Sequence, residues 1–305
     1  MSNAFLAVVN PAAGGGRCGQ LAGPVLEKLR AAGIELEVVE THYPGQATDL
    51  AWEAYRDGVR RFLAVGGDGT AYEIVNGLFP EAADGSPDSG ERPLLGFLPL
   101  GTGNSFLRDF TDRGADYSLE AILAKRERPC DVIRLTHREG VIHYINLLSV
   151  GFAADVAVVT NRRFKPFGPL GYLLGVLTCL VRLRRRPFPL RVDEAPEVDR
   201  RPCLFLSFNN SKFTGGRMKI APRADTGDGL VEYVRWGPIG RLGLLANLHR
   251  LYDGTHLAHP LAERRAARRI DFHLDQPVDV MVDGEVLMLH CETLEVLPAA
   301  LTVVV

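Results

Sequence analysis

Short apolar runs alternate with helix-like segments through the first 130 residues of the chain. This pattern predicts strands at Phe5–Val9, Leu36–Val39, Phe62–Val65 and Leu94–Leu98. Apolar residues spaced three or four apart predict helices at Leu21–Ala32, Gln46–Arg56, Thr70–Phe79 and near Asn104. Repeated strand–helix units of this length indicate a parallel sheet with helices on both faces.

The pattern changes near Asp131, after which strands follow one another with few helices between them. Strands are predicted at Val132–Leu135, Tyr144–Leu148, Cys203–Phe208, Leu230–Val234, Phe272–Leu274, Val278–Val282 and Glu285–His290, and helices at Leu170–Leu183 and Arg241–Tyr252. This order predicts an antiparallel β domain. We therefore expect an α/β domain over residues 1–130 and a β domain over 131–295. Residues 296–305 are apolar enough to pack on one of them, and the polar segment Glu81–Arg92 is expected to be an exposed loop.

Composition and charge narrow the class of protein. The formal net charge of -2 gives no reason to expect nucleic-acid binding. The five cysteines are scattered and form no C-x-x-C pair, which favours a reducing compartment over a disulfide framework. The sequence has no recognisable secretory signal and no apolar stretch of about 20 residues. We expect a cytoplasmic protein that meets a membrane only at its surface.

Three glycine-rich turns follow predicted strands of the first domain, at Asn10–Gly16, Gly66–Thr70 and Gly101–Asn104. In a parallel sheet such turns lie together at the carboxyl edge, where ligands bind. Glycine lets the backbone approach a ligand, and free N–H groups at a helix start attract phosphate. Asp68 within the second turn would repel phosphate unless a Mg²⁺ ion lay between the charges. A single turn of this kind would predict no more than a tight turn, whereas three at one edge predict a nucleotide site.

Familiar phosphate-binding patterns fit this chain poorly. The P-loop pattern is absent, and G-x-G-x-x-G occurs once, from Gly14 to Gly19, several residues after its strand. The string GGDGTAYEIVNGL from Gly66 to Leu78, in contrast, resembles the nucleotide-binding signature of diacylglycerol and sphingosine kinases. PLGTGNSF from Pro99 to Phe106 and VVNPAAGGG from Val8 to Gly16 resemble two further signatures of that family. The similarity continues in order through APRADTGDGLVEY, LYDGTHLAHP and VDGE, which ends at Glu285.

This resemblance implies an N-terminal Rossmann-like α/β nucleotide-binding domain, a C-terminal antiparallel β-sandwich and an active site in the cleft between them. It implies transfer of the γ-phosphoryl group of ATP, with Mg²⁺, to a lipid hydroxyl. Diacylglycerol is the first candidate acceptor, and a sphingoid base or another lipid alcohol follows. The sequence leaves the oligomeric state open, with a homodimer as one candidate.

The resemblance also implies roles for individual residues. Glu285 matches the proposed general base, Asp68 would organise Mg-ATP, and Asp131 matches a further acidic position near the cleft. The implied nucleotide-binding residues are Asn10, Thr41, Gly66, Gly67, Asp68, Gly69, Thr70, Glu73, Gly101, Thr102, Gly103 and Asn104. The implied ligands of a structural Mg²⁺ are Asp225, Asp228 and Leu230, with carbonyl oxygens from the first and last. The family usually has Asn at Tyr72 and Asp at Ser105, so details of metal coordination and substrate choice stay open.

Several of these positions have a purely structural alternative. Asp283-Gly284 sits in alternating sequence and predicts a hairpin turn by itself. Asp225 and Asp228 could form an ordinary turn before a strand. Basic residues in Asn161–Lys165 and in Arg182–Arg186 flank an apolar stretch. This pattern predicts either a packed helix with solvated arginines or a lipid-docking segment.

Two rival functions share the glycine turns. An NAD kinase would carry the GGDGT string but also an Asn-Glu pair, and no Asn-Glu dipeptide occurs in this sequence. A non-catalytic, nucleotide-responsive lipid-binding protein is supported by Ser105 and opposed by the presence of both Asp68 and Glu285.

Overall fold

The computed structural model describes residues 4–79, 92–164, 168–215 and 217–305. Its first domain is a parallel sheet in the order β2-β1-β3-β4. The strands are β1 (Phe5–Val9), β2 (Leu36–Glu40), β3 (Arg61–Gly66) and β4 (Leu94–Pro99). The helices are α1 (Arg17–Ala31), α2 (Gln46–Arg56), α3 (Asp68–Leu78) and α4 (Ala115–Leu123), and a 3₁₀ turn covers Phe106–Asp109. The apolar faces of α1 and α4 cover one side of the sheet and those of α2 and α3 the other, as the alternating pattern predicts.

The second domain is a β-sandwich. Its strands are β5 (Glu127–His137), β6 (Gly140–Tyr144), β7 (Leu147–Gly151), β8 (Arg186–Pro187), β9 (Leu190–Val192), β10 (Pro202–Cys203), β11 (Phe205–Asn209), β12 (Phe213–Thr214), β13 (Met218–Lys219), β14 (Val231–Trp236), β15 (Ala262–Ala267), β16 (Arg269–Phe272), β17 (Val278–Val282), β18 (Glu285–Leu289) and β19 (Cys291–Val304). One layer is antiparallel in the order β15-β14-β11-β7-β17-β18. The other contains β6, β5, β19, β16 and β9. Side chains from both layers, including Ile133, Tyr144 and Phe208, form the core between them.

Among the described residues, four α-helices interrupt the strands of the second domain: α5 (Phe152–Val159), α6 (Gly168–Val181), α7 (Arg241–Asn247) and α8 (Arg250–Asp253). A π-helix at Thr160–Phe164 and a 3₁₀ helix at Thr255–Ala258 accompany them. The α-helices pack on the outer face of the six-stranded layer, around Trp236 and Phe205. Helix α6 confirms the predicted helix at Leu170–Leu183, and α7 with α8 divides the one predicted at Arg241–Tyr252. Helix α5 is additional. No helix in the described part of the chain is long and apolar enough to cross a membrane.

The last strand joins the two domains. The first part of β19 pairs with β5 and β16 of the sandwich. Its end runs parallel to β4, with Thr302 beside Leu94, so the final residues complete the nucleotide-domain sheet. Leu301 and Val303–Val305 are buried there. The apolar tail 296–305 therefore spans both domains: Val296 packs on the sandwich core, and Leu301 and Val303–Val305 pack in the first domain.

Two further differences from the predicted elements have local causes. The strand predicted at Tyr144–Leu148 is broken at residues 145–146, because the backbone N–H groups there donate to Asp283 and not to a neighbouring strand. Strand β15 has the sequence AERRAA, whose residues favour helix, and it is held by antiparallel pairing with β14. The loop predicted at Glu81–Arg92 lies outside the described residues except for Arg92.

Candidate active site

A cavity of about 640 Å³ lies where the two domains meet. One wall is formed by the glycine turns at the carboxyl edge of the parallel sheet. The opposite wall is the outer face of β7, β11 and β17, together with helices α5, α6 and α8 and the segments next to them. Both predicted halves of the site therefore line the same space.

The three glycine turns pack directly against one another. A Cβ on Gly101 would stand 2.6 Å from the Cα of Gly67, and the Gly101 N–H donates to the Gly66 carbonyl at 2.7 Å. A Cβ on Gly66 would overlap the Thr70 hydroxyl. Gly14 has φ +64 and lies against the Leu100 carbonyl. Side chains are excluded at these positions because three backbone turns share one small volume.

Asp68 is the first residue of α3 and ties the second turn to the third. Its carboxylate accepts the N–H of Ser105 at 2.8 Å and that of Phe106 at 3.4 Å. Burial raises the pKa of Asp68, and these two N–H groups oppose the rise. Asp68 also lines the cavity, and Ser105 beside it is almost fully buried. Serine at this position adds no second charge to the site.

Most of the nucleotide-binding residues implied by the resemblance reach the cavity. Those that line it are Asn10, Gly67, Asp68, Gly69, Thr70, Gly101, Thr102 and Gly103. The buried Thr70 hydroxyl has no hydrogen-bond partner among the described residues, so it is available to bond a ligand in the cavity. Asn104 has φ 48 and donates from Nδ2 to the Gly101 carbonyl at 3.0 Å, so it shapes the turn behind the wall.

Thr41 and Glu73 are not among the residues that line the cavity. The backbone N–H of Thr41 donates to the Val9 carbonyl at the end of β2. The Glu73 carboxylate accepts the N–H groups of Gly45 at 3.0 Å and Ala47 at 3.1 Å. Glu73 therefore caps the start of α2. These two hydrogen bonds give its carboxylate a structural role that needs no bound nucleotide.

Glu285 brings the second domain to the glycine turns. It stands at the exposed tip of the β17–β18 hairpin and lines the cavity. Its Oε1 lies 3.2 Å from the point that a Cβ on Gly69 would occupy. The carboxylate thus sits directly over the second turn, in space that any residue larger than glycine would reduce.

Asp283, which sequence reasoning treated only as a turn residue, anchors that hairpin tip. Its carboxylate accepts three backbone N–H groups, from Leu147 at 2.8 Å and from Ile145 and Asn146 at 3.2 Å each. Burial raises the pKa of Asp283 to about 7, with Asp68 adding to the rise and the N–H groups opposing it. The Asp-Gly dipeptide predicts only the turn, which Asp283 enters with a φ of 47; the backbone that its carboxylate binds is distant in sequence.

Asp131 does not line the cavity. Its two oxygens accept the N–H groups of Gly229 and Ala299, each at 2.6 Å. Burial raises its pKa, and those N–H groups oppose the rise. In this structure Asp131 links the bend in β19 to the turn before β14.

The candidate structural cation site lies at that same turn. Asp225 accepts the N–H of Gly227 at 3.1 Å and Asp228 accepts that of Leu230 at 2.9 Å, so both make local turns. Burial raises the pKa of Asp228, and the charges of Asp225 and Asp131 add to it. Within the described ranges, no group of three or more His, Cys, Asp or Glu side chains is arranged to hold a metal ion. The turn does place the carboxylates of Asp225, Asp228 and Asp131 near one another, next to backbone carbonyls.

The far end of the cavity is apolar. Its wall is lined by Phe152, Ala153, Val156, Ala157, Val176, Phe205, Met218, Ile220, Leu248, Leu251 and Met281. The described lining contains acidic side chains at Asp68, Asp283 and Glu285 but no Lys, Arg or His. A ligand with an anionic end and a long apolar end fits this division, provided that a cation accompanies the anionic end.

Comparisons with known proteins agree with this architecture. The profile of the diacylglycerol kinase catalytic domain matches residues 4–135, and that of the YegS C-terminal NAD kinase beta sandwich-like domain matches residues 146–305. A protein of Xanthomonas axonopodis pv. citri (strain 306) named "Probable lipid kinase YegS-like" is 31% identical over 90% of this chain and 87% of its own. A "Diacylglycerol kinase" of Mycobacterium tuberculosis (strain CDC 1551 / Oshkosh) is 27% identical over 97% of this chain and 93% of its own.

Solved structures support the fold. A crystal structure of a diacylglycerol kinase from Bacillus anthracis str. Sterne superposes with a TM-score of 0.72 at 20% identity, covering 99% of this chain and 96% of that one. A second from the same organism gives a TM-score of 0.78 at 22% identity, covering 99% and 95%. With both domain profiles matched in order and a relative at 31% identity across most of its length, the chain belongs to the diacylglycerol kinase catalytic-domain family and is an ATP-dependent lipid kinase.

Proposed function

We propose that the protein transfers the γ-phosphoryl group of ATP to the hydroxyl of diacylglycerol, forming phosphatidic acid and ADP. The observation that carries the proposal is the single cavity that joins the glycine turns and Glu285 to a long apolar wall. ATP phosphates fit the turns, the acceptor hydroxyl fits beside Glu285, and the acyl chains fit the apolar end.

The chemistry asks for positioning more than for covalent participation. Glu285 takes the proton of the acceptor hydroxyl as the oxygen bonds to the γ-phosphorus, and the bond from that phosphorus to the β-bridging oxygen breaks to release ADP. The N–H groups of the turns and the Thr70 and Thr102 hydroxyls hold the phosphate oxygens. Asp283 keeps the hairpin tip, and with it Glu285, over the second turn.

The residues present fit a magnesium ion with the nucleotide. The described lining has three carboxylates and no basic side chain, so ATP phosphates beside Asp68 would meet only negative charge from the protein. A Mg²⁺ ion bound with ATP would lie beside Asp68 and would supply the positive charge that offsets these carboxylates and the phosphates. We assign a second, structural cation to Asp225, Asp228 and the carbonyl of Leu230. A cation there would offset the repulsion of the Asp228 carboxylate by Asp225 and Asp131.

We also propose that the protein is cytoplasmic and works at an anionic membrane surface. Helices α6 and α7 together expose Leu177, Val181, Leu242 and Leu245, with Leu242 83% exposed. Arg241 joins the helices by donating to the Val181 carbonyl at 2.8 Å. No acidic residue occurs between Asp155 and Asp193 or between Glu232 and Asp253, so the charged side chains within these two segments are basic. Helix α6 lines the apolar end of the cavity with Val176, and Leu248 at the end of α7 and Leu251 of α8 line it as well.

The structure refines which arginines to test for membrane binding. Arg186 is paired with Asp155 at 2.6 Å and Arg185 donates to the Ile239 carbonyl, so both have structural partners. Arg182 and Arg184 are exposed. An Arg182→Gln/Arg184→Gln variant and a Leu242→Gln variant should each sediment less with anionic vesicles than the parent, and the parent should bind less at high salt. Equal binding by parent and variants would remove this surface from the proposal.

One assay tests the reaction itself. ATP turnover is measured with short-chain diacylglycerol, with a sphingoid base and with NAD as separate acceptors, for the parent and for Glu285→Gln. The proposal is supported if the parent forms phosphatidic acid and the Glu285→Gln variant does not. Phosphorylation of NAD would favour the NAD kinase alternative, and ATP binding without turnover of any acceptor would favour a non-catalytic lipid-binding protein.

A further inference from the structure

Two buried serines interrupt the apolar wall of the cavity. Ser149 on β7 and Ser207 on β11 are paired directly across the antiparallel ladder and both line the cavity. They are 2% and 1% exposed. The neighbours of each along its strand, such as Leu148 and Leu206, point to the opposite face and form the sandwich core. The serines therefore belong to the face that a ligand would touch.

The hydrogen bonding of this pair is incomplete. The Ser149 hydroxyl has no hydrogen-bond partner among the described residues, although it is buried. The Ser207 hydroxyl accepts the Asn209 Nδ2–H at 3.0 Å, and its own hydrogen is not used by that bond. Asn209 also donates to the Glu232 carbonyl at 2.8 Å, which fixes its amide and so the orientation of Ser207. A buried donor without a partner is costly, and such groups in a cavity wall are commonly satisfied by a ligand.

The pair lies between the reacting end and the apolar end of the cavity. Ser149 pairs with Met281, which is two residues before Asp283 on β17. At about 3.3 Å per residue along the strands and about 4.8 Å between strands, Ser149 lies about 8 Å and Ser207 about 12 Å from the hairpin tip. A glycerol hydroxyl and the carbonyl oxygen of the adjacent ester, with a hydrogen bond of about 2.8 Å at each end, span a comparable distance of about 10 Å. Around the serines the wall is formed by Phe205, Met281 and Phe152.

We propose that Ser149 and Ser207 form a subsite that donates hydrogen bonds to an acyl ester carbonyl of the acceptor. This rests on the proposed lipid kinase reaction and deepens it by naming the second polar group that is recognised. A neutral ester accepts hydrogen bonds and carries no charge, which suits two hydroxyl donors in an apolar wall. The subsite selects a glycerolipid ester over an alcohol that presents only alkyl chain at this depth, because an ether analogue leaves both hydroxyls without a strong acceptor.

The test is a cycle that changes enzyme and substrate separately. The parent, Ser149→Ala, Ser207→Ala and the double variant are assayed with dioctanoylglycerol and with its dioctyl ether analogue, in kcat/KM. Removing one neutral hydrogen bond in a dry site should cost about tenfold for the ester. The same substitutions should leave the ether almost unchanged. Ser118→Ala is the matched control, since Ser118 is a buried serine of α4 whose hydroxyl contacts the Gly114 carbonyl.

The outcomes separate this subsite from the reaction. Equal losses for ester and ether in Ser149→Ala and Ser207→Ala would show that the serines act only on the fold, and would overturn the proposal. So would a parent that prefers the ether or a sphingoid base. Equilibrium binding of both lipids to the parent and to the double variant is measured in parallel. If the parent binds the ester about tenfold tighter than the ether, the double variant loses that preference, and no acceptor is phosphorylated, the subsite stands and the proposed reaction fails.

Discussion

Replacing Asp283 tests whether the hairpin tip is held in place by the loop beneath it. Its carboxylate accepts three buried N–H groups, from residues 145, 146 and 147. Because the pKa of Asp283 is about 7, its carboxyl group is largely neutral at pH 6, where each of the three hydrogen bonds contributes about 0.5–1.5 kcal/mol. We therefore expect Asp283→Ala to lower the free energy of unfolding by about 3 kcal/mol and Tm by roughly 5–10 °C. Asp283→Asn should cost about half as much, because its amide oxygen can still serve Leu147 and its backbone tolerates φ 47.

The same substitution should slow catalysis through Glu285. With the tip released, Glu285 no longer has a fixed position over Gly69, and a displacement of about 1 Å can cost on the order of a hundredfold in rate. The loss should appear in kcat, with KM for ATP little changed. Asp279→Ala on the same hairpin is the control for removing a nearby carboxylate. If Asp283→Ala keeps both the parent's Tm and its kcat, the three hydrogen bonds do not position the tip, and the reasoning is refuted.

Asp283 also predicts a pH dependence of stability. Its pKa in the folded protein, about 7, is above the ordinary value of 3.8, so between these values the folded state binds more protons than the unfolded state. The contribution of this group is therefore fully present below about pH 4 and declines as pH rises to about 7. The difference corresponds to on the order of 4 kcal/mol at most. Asp283→Asn should lack this decline, which urea unfolding of parent and variant at pH 4.5, 6 and 7.5 would measure.

Three further predictions concern the glycine turns and the cation site. Asp68→Ala should remove most phosphoryl transfer. It should also lower the free energy of unfolding by about 1–2 kcal/mol, because the Ser105 and Phe106 N–H groups lose their acceptor. An unchanged turnover number in a folded variant would contradict the catalytic part. Gly101→Ala should destabilise by about 1–3 kcal/mol and raise KM for ATP, because its Cβ would press on Gly67, while Gly23→Ala in the open interior of α1 should not destabilise. Asp228→Ala should lose the rise in Tm that Mg²⁺ gives the parent, and a persisting rise would leave the segment an ordinary turn.

The parts of the fold that could be predicted from sequence are those that depend on neighbouring residues. Strands β1, β3 and β4 are apolar runs, and the turns after them contain glycines that pack backbone to backbone, so local pattern and structure agree. Strand β15 could not be predicted, because AERRAA favours helix and only its pairing with β14 makes it a strand. Helix α5 reads FAADVAVV and lacks the periodic polar face that identifies a helix.

Positions in the site show the same division. Asp68 and the glycines could be placed because their turns follow strands directly. Asp283 could not, since the three N–H groups that it accepts lie more than 130 positions away in the chain. Sequence likewise placed Glu73 among the nucleotide ligands, and a distant contact with the start of α2 determines where its carboxylate points. The catalytic and metal-binding roles themselves stay predictions for the variants above.

Helix α3 explains how two domains can present one fixed site. It begins with Asp68 in the second glycine turn, and one turn later Tyr72 packs against the core of the β-sandwich. Asn76 then exchanges two hydrogen bonds with the backbone of His143, at 2.8 and 2.9 Å. The helix therefore holds the turns at a set position relative to the sandwich that carries Glu285. Tyr72 contributes a large ring to that seam. It is not among the residues that line the described cavity, so we expect acceptor choice to depend on residues of the wall, such as Ser149 and Ser207.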